Sequence, residues 1–270
     1  MTASTAMREV SAYNTAAASD NKIHDDAVAR RFGFRGGLVP GVEVYAYMAH
    51  MPVARWGRTW LERGHADCRF WKPVYDGALA RITAAEDDGA LTLAVESAGE
   101  RCATGRAGIS PQPPALLVAN AIAPAGPPSE RPPASEESLA PGRPLGIAPF
   151  AIDHAMLLDY LAEVRETEPM YRTEGLIHPG QILRLANMAL VQNLVLGPWI
   201  HVGSKVNNLA AVHIGQRLTL RSKITSNVVS KGHSIVEFDA VVVADERDVA
   251  HITHTAIWRP RQVSENSQAA

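Results

Sequence analysis

Gly37-Leu38-Val39-Pro40-Gly41 and Gly175-Leu176-Ile177-His178-Pro179-Gly180 open two long apolar segments in different halves of the chain, and the landmarks beyond each are alike. Trp60 lies nineteen positions beyond Gly41, and Trp199 nineteen beyond Gly180. Gly64 and Gly203 each come four residues after their tryptophan. Val74-Tyr75-Asp76-Gly77 and Val212-His213-Ile214-Gly215 then open alternating apolar runs. One such match carries little. An ordered set marks an internal repeat, each copy one supersecondary unit.

The segment QILRLANMALVQNLVL after Gly180 is apolar nearly all round and reads as a buried helix. VEVYAYMAHMPVARW after Gly41 reads likewise, but Pro52 removes a backbone donor and is expected to kink or end it. Strand-like runs come next, at 67–74, 79–85, 91–96 and 101–109 in the first unit and 200–211, 217–229, 234–243 and 249–258 in the second. Ser230-Lys231-Gly232-His233 reads as a hairpin turn. One buried helix followed by a strand meander implies an α+β unit, an antiparallel sheet wrapped around a helix.

Proline is dense from 111 to 149, which is incompatible with helix or a central strand, so that stretch reads as a linker over the surface. Its apolar piece, Leu116 to Ile122, is a candidate to dock on a sheet. The expected organisation is a unit at 1–110, the linker at 111–149, a second unit at 150–262 and a frayed tail at 263–270.

The 270 residues are 46% hydrophobic and 20% charged, with formal net charge -2, an ordinary globular composition with no basic field for nucleic acid or anionic membrane. Cys68 and Cys102 have no metal-ligand spacing and suggest a reducing compartment. The first residues carry no apolar leader run, and Ile182 to Leu196 is too short and polar to span a bilayer, so a cytoplasmic protein is expected. There is no Gly-rich phosphate loop, no nucleophile elbow and no paired-cysteine motif, and neither a metal nor a bound cofactor is expected.

Ser19-Asp20-Asn21-Lys22-Ile23-His24-Asp25-Asp26 is followed by Ala27 to Phe32 and then by Gly33-Phe34-Arg35-Gly36-Gly37-Leu38-Val39-Pro40-Gly41. With the element order above, this resembles the MaoC-like branch of the hot-dog fold, which includes (R)-specific enoyl-CoA hydratases and related dehydratases. Asn21, Ile23, His24, Asp26, Gly33, Phe34 and Gly41 fall in register with that branch's signature. The resemblance implies a double hot-dog: two antiparallel sheets, each wrapped around a central helix, joined into one continuous sheet. It departs in three places. Ser19 stands where the signature has its catalytic aspartate, with Asp20 one position late; Lys22 replaces a proline; Pro40 replaces a histidine. The second unit lacks the Asn-x-x-His element, which implies one site per chain.

Hydration of a 2-enoyl thioester needs a base for water, an acid for the α-carbon and a stabiliser of the enolate oxygen. The resemblance assigns these to His24, Asp20 and Asn21, with the Gly41 N–H at a helix N-terminus polarising the thioester oxygen. Asp26, Gly37, Val39, Pro40, Tyr45 and His178 are the candidate substrate contacts. Each has a plainer reading. Asp20 reads equally as a helix cap, Asp25 and Asp26 as first-turn acids, Gly41 as a tight-turn glycine, and His178 as a solvated loop residue. Ala155, Met156, Leu157, Leu158 and Leu161 could line an acyl tail or simply form core, and Arg69 and Lys72 could meet phosphates or face solvent. The expected activity is a hydro-lyase on an enoyl or 3-hydroxyacyl thioester of CoA or a carrier protein. A hot-dog thioesterase and an inactive acyl-binding protein are the alternatives, the latter resting on Ser19, Lys22 and Pro40. The expected partners are the small-molecule thioester and a second copy of the chain, as a homodimer.

Overall fold

The computed structural model describes residues 5–110 and 122–261. The first unit runs β1 (Thr5–Ser11), a 3-10 turn (Lys22–His24), α1 (Asp26–Arg31), α2 (Gly41–Trp56), α3 (Arg58–Arg63), β2 (Gly64–Phe70), β3 (Leu79–Asp87), β4 (Ala90–Ser97) and β5 (Glu100–Ile109). The second runs β6 (Pro144–Gly146), α4 (His154–Glu163), α5 (Met170–Glu174), α6 (Pro179–Asn193), β7 (Ile200–Asn208), β8 (Leu218–Ser230), β9 (His233–Ala244) and β10 (Arg247–Arg259).

All ten strands form one sheet in the order β1-β3-β4-β5-β2-β7-β10-β9-β8-β6. The order reads the same from either end, strand for equivalent strand, with the pseudo-twofold between β2 and β7. Those two pair antiparallel, from His65 opposite Asn207 to Arg69 opposite Gly203. The long apolar helices α2 and α6 pack on each other and on the sheet. Tyr45, Tyr47, Met48, Leu183, Ala186 and Leu190 are among the side chains they bury. A fully buried aliphatic or aromatic side chain contributes about 1.5–3 kcal/mol, so these helices anchor both units through one shared core. No helix among the described residues is long and apolar enough to cross a membrane.

Several expectations need correction. Pro52 neither ends nor divides α2, which continues to Trp56 and stops at Gly57, whose φ of 58° is incompatible with further helix. A proline inside a helix forfeits one backbone bond, and burial of Met48, Ala49, Met51 and Val53 around it outweighs that loss. The run at 67–74 instead pairs from Gly64 to Phe70. It ends because Trp71 and Lys72 both donate to the Cys102 carbonyl, at 2.8 and 3.2 Å. The second unit uses the same device after β7, where Leu209 and Ala210 both donate to Val249 O.

The edge strands β1 and β6 carry no alternation that sequence reading could detect. β1 is almost wholly exposed. β6 lies inside the proline-rich stretch and pairs with β8, burying Leu145. The described part of that stretch, 122–149, contains no helix. The Leu116–Ile122 segment lies outside the described residues apart from Ile122, as does the tail from 263.

Candidate active site

The two central helices begin in unlike ways, and the difference creates the site. At the start of α6, His178 is the N-cap. Its Nδ1 accepts the Gly180 N–H at 3.0 Å, and Gln181 closes a capping box onto the His178 backbone. The side chain of His178 is fully buried, with Nε2 donating to Glu166 Oε2 at 3.2 Å. Tyr160 and Tyr171 pack tilted against it, at 5.5 and 4.8 Å between ring centroids, and a Cβ on Gly180 would overlap the Tyr160 hydroxyl. This mouth is filled by its own unit. At the start of α2, Pro40 occupies the N-cap position and offers no side-chain acceptor. The N–H groups of Gly41 and Val42 donate to no described group. Uncapped amides at a helix N-terminus present partial positive charge to whatever lies in front of them.

In front of them is a cavity of 280 Å³ between the units. The first unit contributes Asn21, His24, Leu38 to Gly41 and Phe70 to Val74. The second contributes Asn187, Trp199 to Val202, His233 and Ile257. The lining is mostly apolar, and Lys72 is among its charged residues. Lys72 Nζ is paired with Glu100 at 2.6 Å, and the neighbouring Trp71, 59% exposed, lies under the Arg69 guanidinium at 5.3 Å.

His24 is placed by the 3-10 turn. Its Nδ1 lies 2.6 Å from the Leu38 carbonyl, which can only accept, so Nδ1 carries the proton and Nε2 holds a lone pair. Burial lowers the His24 pKa and the bond to Leu38 only partly restores it, so the ring is a neutral base at physiological pH. Asn21 organises both units around it. Its Nδ2 donates to Trp199 O at 2.9 Å and lies 3.3 Å from His24 Nε2, while Oδ1 accepts the Trp199 N–H at 3.2 Å. One amide thus clasps the second unit's backbone and faces the base.

Asn21, His24, Val39, Pro40 and Gly41 therefore share one cavity. The other candidates do not. Asp20 is exposed on the bend before the turn, accepts no hydrogen bond from the described residues and is absent from the cavity wall. Asp26 Oδ1 accepts the Gly37 N–H at 2.7 Å, and its other oxygen pairs with Arg30, so it shapes the loop. Gly37 packs against the His24 carbonyl, where a Cβ would overlap it. Tyr45 is 1% exposed, lies in the core, and its pKa is raised by burial. His178 caps a closed mouth. Ala155, Met156 and Leu158 of α4 are exposed, Leu157 and Leu161 are core, and none lines the cavity.

Sequence reading missed the second unit's wall, His201 above all. It is 5% exposed, its Nε2 contacts Gly203 O at 3.1 Å and Ser204 Oγ at 2.8 Å, and Ser204 Oγ reaches His254 Nδ1 at 3.0 Å. The signal available was alternation: His201 and His254 stand at inward positions of apolar strands, where a polar side chain requires a partner.

The sequence matches no protein-family model and no curated protein. Solved structures match over nearly the whole chain. A Mycobacterium tuberculosis protein, Rv0216, whose structure is a double hotdog fold, is 16% identical with a TM-score of 0.67, covering 95% of this chain and 96% of that one. A protein assigned as a MaoC domain dehydratase from Chloroflexus aurantiacus is 12% identical with a TM-score of 0.63, covering 96% and 95%. One assigned as an oleoyl thioesterase from Lactobacillus plantarum is 12% identical with a TM-score of 0.52, covering 96% and 98%. The mirrored ten-stranded sheet, the paired central helices and the match to solved structures over nearly the whole chain identify a double hot-dog fold, similar to that of proteins assigned as MaoC-like dehydratases and as thioesterases.

Proposed function

We propose that the chain is a hydro-lyase adding water to, or removing it from, a short acyl thioester of CoA or a carrier protein. The observation that carries this reading is the pairing of free α2 amides with the His24 lone pair on one cavity, when the equivalent α6 amide is capped and buried. The Gly41 N–H would bond the thioester oxygen. In the hydration direction, His24 Nε2 takes a proton from water as the C3–O bond forms. The alkene electron pair moves toward the thioester oxygen, where the amide and helix dipole hold the developing charge. The proton then passes to C2, so that water is added across the double bond with no other reagent. Asn21 keeps the imidazole oriented, and the apolar wall excludes bulk water from the enolate.

A thioesterase is the second reading. It is favoured by Ser19 standing where an acid is expected, with Asp20 turned to solvent. In that case the same base would direct water at the thioester carbon. Incubation with crotonyl-CoA separates the two. Loss of the enoyl absorbance with the thioester intact is the expected outcome. Release of free thiol establishes hydrolysis instead, and tight binding without either change leaves an acyl-binding protein.

A further inference from the structure

His24 is held by its backbone as well as by its ring, and the residue that holds the backbone stands outside the cavity wall. Asn14, in the loop after β1, donates from Nδ2 to the His24 carbonyl at 2.8 Å. Its Oδ1 accepts the Ala16 N–H at 3.2 Å. A carbonyl only accepts and a backbone N–H only donates, so these two bonds fix the orientation of the amide. Asn14 is 8% exposed, and burial protects its bond to His24 from competing water. Gly37 makes room for the contact, since a Cβ there would overlap the His24 carbonyl and come within 3.1 Å of Asn14 Nδ2. The Asn14 backbone is anchored in turn, its N–H donating to Asp76 Oδ1 at 2.8 Å.

The second unit, whose mouth is closed, has neither residue. Gly77 and Gly215 are equivalent in the repeat and donate to Ala12 O and Ile152 O, at 2.8 and 2.9 Å. Those acceptors are therefore equivalent, and two residues beyond them stand Asn14 and His154. Immediately before the glycines stand Asp76 and Ile214. His154 is an exposed first residue of α4, and the Ile214 side chain can accept no hydrogen bond. A bond that the fold itself required would recur in both units. This one accompanies Asn21, His24 and the uncapped Gly41 amide.

We propose that Asn14, anchored by Asp76, is a positioning residue that sets the place and tautomer of the His24 imidazole. Leu38 O fixes Nδ1 of the ring, and Asn14 fixes the carbonyl of the same residue. Without Asn14 the 3-10 turn is free to shift, and the ring loses its alignment on Leu38. The inference rests on the reading of His24 as the base and adds a residue that acts through it.

The test follows His24 by NMR in chains with ring-¹⁵N-labelled histidine, its signals assigned by their loss in His24→Gln, alongside turnover of crotonyl-CoA. The wild-type ring is expected to carry its proton on Nδ1. In Asn14→Ala the neutral ring should become a mixture of tautomers, and its pKa should rise toward the ordinary histidine value as water reaches it. kcat should fall about tenfold or more with KM within about twofold. Asp76→Ala, at an exposed turn, should move the same signals in the same direction by less, and serves if Asn14→Ala does not fold. Asp25→Ala removes the cap of α1 next to His24 without touching its carbonyl, and should leave the His24 signals and kcat near wild type. Unchanged His24 signals in Asn14→Ala and Asp76→Ala overturn the inference, as does an equal shift in Asp25→Ala, which would mark general loosening of the loop. Shifted signals with kcat unchanged overturn the part of Asn14 in turnover. A wild-type chain inert toward crotonyl-CoA overturns the hydro-lyase reading instead, and the His24 signals still decide for or against Asn14.

Discussion

In the proposed reaction the neutral ring of His24 is the base, its tautomer fixed by the Leu38 carbonyl and its charge disfavoured by burial. If it is the base, His24→Gln should lower turnover by about 10²-fold or more while leaving the thermal midpoint little changed. The sign of the pH effect comes from the neutral form being the active one. Activity should be full above the His24 pKa and fall as pH drops through it, and that limb should lie below the ordinary histidine value because burial lowers it. A kcat/KM profile of the wild-type chain measures the limb, and its persistence in the variant would assign it elsewhere. Asn21→Ala should do two things at once, releasing the base and breaking the clasp on Trp199, with a stability loss of about 1–3 kcal/mol by urea unfolding. Asn21 and His24 were legible in the sequence because a local spacing places them on one turn. Asp20 was not, because one position along a bend decides whether a carboxylate faces a cavity or water.

The second helix start has one residue more than the first, His178 standing between Ile177 and Pro179 where Val39 adjoins Pro40. His178 supplies a cap that Val39 and Pro40 cannot, and Tyr160 and Tyr171 pack beside it where the first unit has a cavity. His178→Ala should therefore behave as a folding mutation. It removes the cap and leaves Glu166 buried with one partner fewer, at a cost of about 3–5 kcal/mol. Residual folded protein should retain its turnover per molecule, which a titration of active sites against folded fraction would check. Gly41→Ala should do the reverse, since the new methyl group meets His201 and Phe70 at 2.8 and 3.2 Å at the cavity wall. The helices and most strands were readable from the nineteen-residue spacing and the apolar runs, since both arise from local periodicity. β1 and β6 were hidden because β1 is almost wholly exposed and β6 is only three residues long, so neither carries a readable alternation.

Across the whole molecule, Glu166 ties distant segments together. It lies near Arg8 of β1 at 3.8 Å, accepts from His50 of α2 at 2.8 Å and from His178 at the head of α6. Burial opposes its ionisation, but hydrogen bonds from His178, His50 and the Glu168 backbone outweigh that and hold the carboxyl far below the usual range. A depressed folded-state value gives stability that is complete above the unfolded value of about 4.3 and is lost as pH falls below it. Urea unfolding from neutral to acidic pH should show this loss in the wild-type chain and a flatter dependence in Glu166→Gln. This long-range knot was invisible in sequence, because its members are far apart in the chain and share no local spacing.

The asymmetry of the two mouths is the central claim, and it is tested most directly by a crystal structure of the chain with a non-hydrolysable crotonyl-CoA analogue. One analogue per chain is expected, its carbonyl oxygen bonded to the Gly41 N–H and its C3 carbon facing His24. A ligand seated at Gly180, or two ligands bound equally at both helix starts, would contradict it.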